Sequence, residues 1–179
     1  MHRSMEPTEF LKGRTRESTI RRDALGRWFH DGEPIEHPLI TRAFDRWVSR
    51  ADDGRYCLKN EVDWAYVAIE GPPLFVRSLR VEALGRIYLR LSDEQEQELD
   101  PSTLRQDQDG ALYCDARRGT MAARFDRHAM ARLQELIEED EKGVYLKLGE
   151  NRVRPPLVAD PLRPGSAAPH FQQKRAEAS

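Results

Sequence analysis

Lysine is scarce in this chain. Lys12, Lys59, Lys142, Lys147 and Lys174 are the full set, so nearly all the positive charge is arginine. Arginine grips carboxylates and phosphates through two parallel bonds, which leaves anion recognition open; an arginine-rich background gives the same bias. Cysteine is scarcer still. Cys57 and Cys114 lie far apart with no Cys-x-x-Cys partner, which excludes a disulfide framework and a cysteine-built zinc site. They alternate with apolar neighbours and are expected to be small buried hydrophobes. No apolar run approaches the ~18 residues of a membrane span. The N-terminal "MHRSMEPTEFLKGRTRES" has no apolar signal region. The expectation is a reduced, soluble, cytoplasmic protein that does not enter a membrane. Excess charge is also missing: a net charge of −2 supplies no bulk attraction to nucleic acid or an anionic membrane. No Walker-type or dinucleotide glycine pattern occurs, and no serine sits in a Gly-x-Ser-x-Gly elbow.

What is present is enough to fold. Hydrophobic residues make up 39% of the 179 and charged residues 34%, a polar composition that can still bury a core. Residues 1–18 are polar and aperiodic, which predicts a disordered arm. The Pro- and Ala-rich residues 157–179 predict a disordered tail. Between them, "RWFHDGEPIEHP" opens the folded part. It predicts two short strands, Arg27–His30 and Glu33–Glu36, joined at Asp31-Gly32, a dipeptide suited to a type I′ turn. That register sets His30 against Glu33 and Trp28 against Ile35. Pro38 then starts a helix at the position where a missing N–H is harmless. Leu39, Ile40, Ala43, Phe44, Trp47 and Val48 form its apolar stripe, and Arg42, Asp45, Arg46 and Ser49 are expected to face water. "RYCLK" follows as a strand, then Val62–Ile69, Leu74–Glu82 and Arg86–Leu91, the last alternating Ile87, Leu89 and Leu91 inward against Arg86, Tyr88 and Arg90 outward.

The second half has the same plan. "ALYCD", a turn at Arg117-Arg118-Gly119 and "MAARF" lead to a helix capped by Asp126. Its stripe is Ala129, Met130, Leu133, Leu136 and Ile137, and "VYLKL", "GEN" and "RVRP" close as a hairpin. "DDGRYCLK" after the first helix parallels "EKGVYLKL" after the second. The fold class expected is α+β: two related units, each an amphipathic helix packed on a small antiparallel sheet, with extra antiparallel strands in the first. The first unit is set at residues 19–91, an acidic linker at 92–109 and the second unit at 110–156.

Three stretches carry a family resemblance: "RRDALGRWFHDGEPIEHPLITRAFDRW", "RYCLKNEVDWAYVAIEGPPLFV" and "RRGTMAARFDRHAMARLQELIEEDEKGVYLKL". Together they resemble the bacterial domain-of-unknown-function family 1285 over about residues 19–156. The chain departs from the family's pattern in lacking a Phe-Cys-Gly-Asp start, in having Gly71-Pro72-Pro73 at one turn, and in keeping only the first glycine after Arg118. The resemblance implies an α+β fold of repeated units with a binding or signal-transduction role, and it assigns no catalytic residues.

The histidines and acids of "RWFHDGEPIEHP" invite a metal or catalytic assignment. His30 and His37, however, sit on different elements at a spacing that neither a strand nor a helix brings together. A hairpin pair and a helix start account for every residue, and no metal, cofactor or catalytic residue is assigned. The polar candidates are arginines. Arg77 lies on one strand, and Arg86, Tyr88 and Arg90 make a basic–aromatic–basic row on the next. Arg117 and Arg118 occupy a turn whose amides and guanidinium groups could meet an anion. The functional expectation is a non-enzymatic binding or regulatory module for a protein partner or small anionic ligand, using a sheet face or the groove between units. The alternatives are an enzyme of unknown reaction with its site between the units, or a weak nucleic-acid binder through the arginine face.

Overall fold

The computed structural model describes residues 15–168. The outer parts of the expected arm (1–14) and tail (169–179) lie outside the described residues.

Two cores organise the chain. The first is built by strands β1 (Arg21–Arg22), β2 (Trp28–His30) and β3 (Glu33–Pro34), helix α1 (Pro38–Trp47), and strands β4 (Val48–Arg50), β5 (Tyr56–Lys59), β6 (Trp64–Tyr66) and β7 (Ala68–Ile69). One sheet runs β3-β2-β1-β7, with β1 and β7 parallel, and a second runs β4-β5-β6. Asp31 and Gly32 both have positive φ (51° and 80°), as a type I′ turn requires. His30 pairs with Glu33, and the Ile35 N–H donates to Trp28 O at 2.8 Å. Pro38 takes the first helical turn behind His37. Ile20, Trp28, Ile40, Phe44, Val48, Leu58, Ala65 and Val67 fill this core.

Three details of the first helix differ from expectation. Leu39 is 66% exposed, while Ile40 beside it is buried in the core. Val48 leaves the helix for strand β4, where it pairs with Leu58, and both are fully buried. A β-branched residue facing a leucine across a ladder gains more there than in a last helical turn. Asp45 does not face water; it accepts hydrogen bonds from Trp28 Nε1 (2.9 Å) and Arg22 Nη1 (3.2 Å).

The second core holds strands β8 (Leu74–Val81), β9 (Ile87–Leu91), β10 (Glu96–Glu98), β11 (Arg105–Gln106), β12 (Leu112–Ala116) and β13 (Met121–Phe125). Helix α2 (Arg127–Gln134) and strands β14 (Ile137–Asp140), β15 (Gly143–Leu148) and β16 (Asn151–Val153) complete it. The six-stranded sheet runs β10-β9-β8-β13-β12-β11, with β8 and β13 parallel, and β14-β15-β16 form a three-stranded antiparallel sheet. Asp126 caps α2 through Ala129 N at 2.9 Å. Ile87, Leu89 and Leu91 are buried as the alternation requires. Ile137 is 42% exposed and pairs with Leu146 in β14, instead of extending the helical stripe.

Among the described residues the architecture is α+β, two α-helices with four sheets whose strand pairs are mostly antiparallel. Its internal boundaries correct the sequence-based ones. Strands β8 and β9, expected in the first unit (19–91), belong to the second core, so the break falls at Pro72-Pro73. Residues 92–109 are not a linker: they contain β10 and β11, and Leu99 and Leu104 are buried. Their acidity marks the edge of a sheet, where charge blocks further pairing. The six-stranded sheet also curls on itself. Gln97 of β10 donates to Asp115 O and accepts from Arg117 N, both at 3.1 Å, so its first strand reaches its fifth.

The described part of the tail is packed as well. The Gln106 N–H donates to Pro156 O at 2.9 Å and Gln106 O accepts from Val158 N at 3.0 Å, which lays residues 155–158 along the outer edge of β11. At the other end of the chain, Arg16 O accepts from Tyr66 N at 2.7 Å, so the arm's last residues run beside β6.

Candidate functional site

The arginines singled out from sequence are placed by the fold in three different settings. Arg86 projects outward from the residue before β9 and gives Nε and Nη2 to the two oxygens of Glu98, at 2.9 and 2.7 Å. This pairing draws the Glu98 carboxyl below its ordinary value. Tyr88 lies under the guanidinium groups of Arg80 and Arg86, at 4.4 and 5.5 Å from its ring centre. Arg90 is exposed on the same face, opposite Glu96. The basic–aromatic–basic row therefore exists, but glutamates on β10 interleave with it. A hollow beside Tyr88 and Arg90 measures about 90 Å³, and a second, of about 200 Å³, lies beside Arg86 and Glu98.

Arg77 is turned away from that row toward the junction of the two cores, with Asp45 at 3.7 Å and Asp126 at 3.5 Å. Arg117 and Arg118 both have positive φ (47° and 57°). The Arg117 guanidinium is already engaged: Nε donates to Asp93 at 2.9 Å and Nη1 donates to Val48 O across the junction. The amides of Gly119 and Thr120 are used by Ala116 O, so the turn offers little backbone to an anion. Arg118 remains exposed.

The junction is thus built from buried charge. Arg22 is fully buried; its Nη2 donates to Pro72 O (2.5 Å) and Pro73 O (2.7 Å) while Nη1 holds Asp45. Burial pushes the Asp45 carboxyl up and the Arg22 guanidinium down, in each case against the pull of its partner. The pairing keeps Nη1 and Nη2 of Arg22 hydrogen-bonded where water is excluded, leaves its buried Nε without a partner, and ties the first core to the Pro72-Pro73 turn. Alternation places Arg22 on the face of buried Ile20, a signal that charge obscured in the sequence.

Beside this junction lies an open cavity of about 480 Å³, lined by Arg50, Tyr56, Thr120, Asp160, Leu162, Arg163 and Pro164. Three segments meet there: the β4–β5 pair of the first core, the turn before β13, and the C-terminal segment. Arg50 donates to Gly54 O (3.3 Å) and Tyr56 Oη (3.1 Å), both neutral oxygens, and its guanidinium lies 4.8 Å from the Tyr56 ring centre. Among the described residues, neither Arg50 nor Arg163 has a carboxylate within ion-pair distance, whereas Arg77, Arg86 and Arg117 all do. Arg50, Arg163 and the Tyr56 phenol against one acidic residue, Asp160, make a lining suited to an oxyanion, while the Thr120 hydroxyl gives its proton to Arg117 O at 2.7 Å. None of these residues was selected from sequence.

Cys57 and Cys114 are buried and unpaired, and burial pushes the Cys114 thiol up to about 12. Among the described residues no three His, Cys, Asp or Glu side chains gather where they could hold a metal ion. No helix among the described residues is long and apolar enough to cross a membrane.

No family model matches the sequence, and no curated protein does. Among solved structures, a DUF1285 family protein from Silicibacter pomeroyi is similar at a TM-score of 0.58 and 19% identity, over 89% of this chain and 88% of that one. A second DUF1285 family protein, from Shewanella baltica, gives a TM-score of 0.48 and 20% identity, over 62% of this chain and 85% of that one. Identity at this level speaks for architecture, and over nearly its whole length the chain has the fold of a DUF1285 family protein.

Proposed function

We propose that this protein is a non-enzymatic binding module that recognises a small oxyanion in the cavity between its two cores. The observation that carries the reading is the pair Arg50 and Arg163: both line one cavity of about 480 Å³, and neither is neutralised by a carboxylate. The sheet-face version of the same idea is weaker, because Glu98 already occupies Arg86. A regulatory role, bacterial origin and cytoplasmic residence fit this reading and are part of the proposal.

The repeated plan belongs to it too. A helix followed by a three-stranded antiparallel sheet occurs twice, α1 with β4-β5-β6 and α2 with β14-β15-β16, each after an antiparallel strand pair. We read these as two versions of one unit, whose meeting place supplies the cavity. Superposing residues 38–66 on 127–153 tests this, and a shared strand order with discordant helix packing would count against it.

The functional test is thermal unfolding of the full chain with phosphate, pyrophosphate and citrate at matched ionic strength, alongside native mass spectrometry. A saturable rise in Tm and a one-to-one adduct are expected for at least one oxyanion. Equal response to chloride at the same ionic strength would defeat the proposal.

A further inference from the structure

Residues 155–168 are strapped across the six-stranded sheet by polar anchors. Gln106 forms the seam through its backbone, and its Nε2 donates to Pro155 O at 3.0 Å. Arg105, fully buried, donates Nε to Pro161 O (2.8 Å) and Nη1 to Asp115 (2.7 Å). The second oxygen of Asp115 accepts from Gly165 N at 2.9 Å. The Arg105–Asp115 pair therefore grips the strap at Pro161 and Gly165, while Gln106 holds its start.

Apolar anchoring is slight. Of residues 157–168 only Ala167 is buried, and Leu157 is 56% exposed. Two polar atoms of the assembly, Arg105 Nη2 and Ser166 Oγ, are buried without a partner. A segment held this way opens at a lower free energy than the sheet beneath it.

We infer that an oxyanion in the Arg50–Arg163 cavity clasps this strap, so that ligand binding and strap docking are one coupled equilibrium. The inference rests on the cavity being an anion site, as proposed above. Four of its seven lining residues, Asp160, Leu162, Arg163 and Pro164, belong to the strap, while Arg50, Tyr56 and Thr120 belong to the body. An anion held by both arginines gains its full contacts only when the strap is docked, which is the differential affinity a ligand needs to shift a conformational equilibrium. Release of the strap frees the backbone N–H and C=O of Gln106 on the outer edge of β11. A free strand edge is a site to which extended peptide segments add. Ligand occupancy is thereby converted into a covered edge, and its loss into an open one.

The test is amide hydrogen exchange on the full chain, read at Val158 and Gly165, with sodium pyrophosphate as the probe. Pyrophosphate should slow exchange at both amides by roughly fivefold or more, and the exposed substitution Arg163→Ala should abolish that slowing. Gln106→Ala removes the Nε2–H donated to Pro155 O, a strap anchor outside the cavity lining. A strap loosened in this way should lose pyrophosphate affinity relative to the wild-type chain. Pyrophosphate binding with unchanged exchange at Val158 and Gly165 would overturn the coupling and leave the anion site standing. Absence of pyrophosphate binding would overturn both.

Discussion

Asp45 shows how one residue can decide a junction. It sits on α1 among residues expected to be solvated, yet it receives Trp28 Nε1 and Arg22 Nη1 and lies 3.7 Å from Arg77. Asp45→Asn keeps the shape and leaves the fully buried Arg22 guanidinium without a counter-charge. A loss of about 3–5 kcal/mol is expected, the range for breaking a buried pair from one side, read by urea unfolding. A loss below a quarter of that would show that the carbonyls of Pro72 and Pro73 hold Arg22 unaided. Burial raises the Asp45 carboxyl, so the folded state holds that proton more tightly than the unfolded chain. That preference for the neutral form offsets part of the pair's worth, so the loss on Asp45→Asn belongs at the lower end of that range. Sequence alone made the Asp31-Gly32 turn and the Trp28–Ile35 register legible, because both depend on neighbours in the chain. Asp45 was not legible, since its partners arrive from β1, β2 and β8.

At the scale of elements, helix starts and alternating strands were readable and their ends were not. Pro38 and Asp126 mark the starts through local backbone chemistry. Val48 and Ile137 each continue an apolar helical stripe in the sequence, and each is instead claimed by a cross-strand partner, Leu58 and Leu146. The same limit hid β10, whose acidic sequence gave no sign that Gln97 ties the sheet's first strand to its fifth. Gln97→Ala removes two partly buried hydrogen bonds and should cost about 1–3 kcal/mol, measured by chemical denaturation. Glu96→Ala, on the exposed side of the same strand, should cost well under half of that. Within β14-β15-β16, Asp140 is bonded to both Arg152 and Arg154, and that bonding lowers its carboxyl from 3.8 to about 2. A lowered acid stabilises the fold above its unfolded value, and that contribution fades as pH falls through 3.8 toward about 2. Asp140→Asn should flatten the acid limb of unfolding in that window. An unchanged acid limb would show that the cluster contributes nothing there.

At the scale of the molecule, two cores joined through buried charge leave a cavity that no single segment encodes. The α+β class was visible from periodicity and from the three stretches resembling the family. The site was not, because Arg50 and Arg163 meet only after the strap crosses β11, and neither sits in a motif. The arginines that alternation did expose, Arg86 and Arg90, face glutamates across the ladder to β10. The central claim is tested most directly by isothermal titration of the full chain with pyrophosphate, comparing wild type, Arg50→Ala/Arg163→Ala and Arg86→Ala/Arg90→Ala. One-to-one binding lost in the first double variant and kept in the second is the predicted result. Binding that survives the first, or that disappears in the second alone, would contradict it.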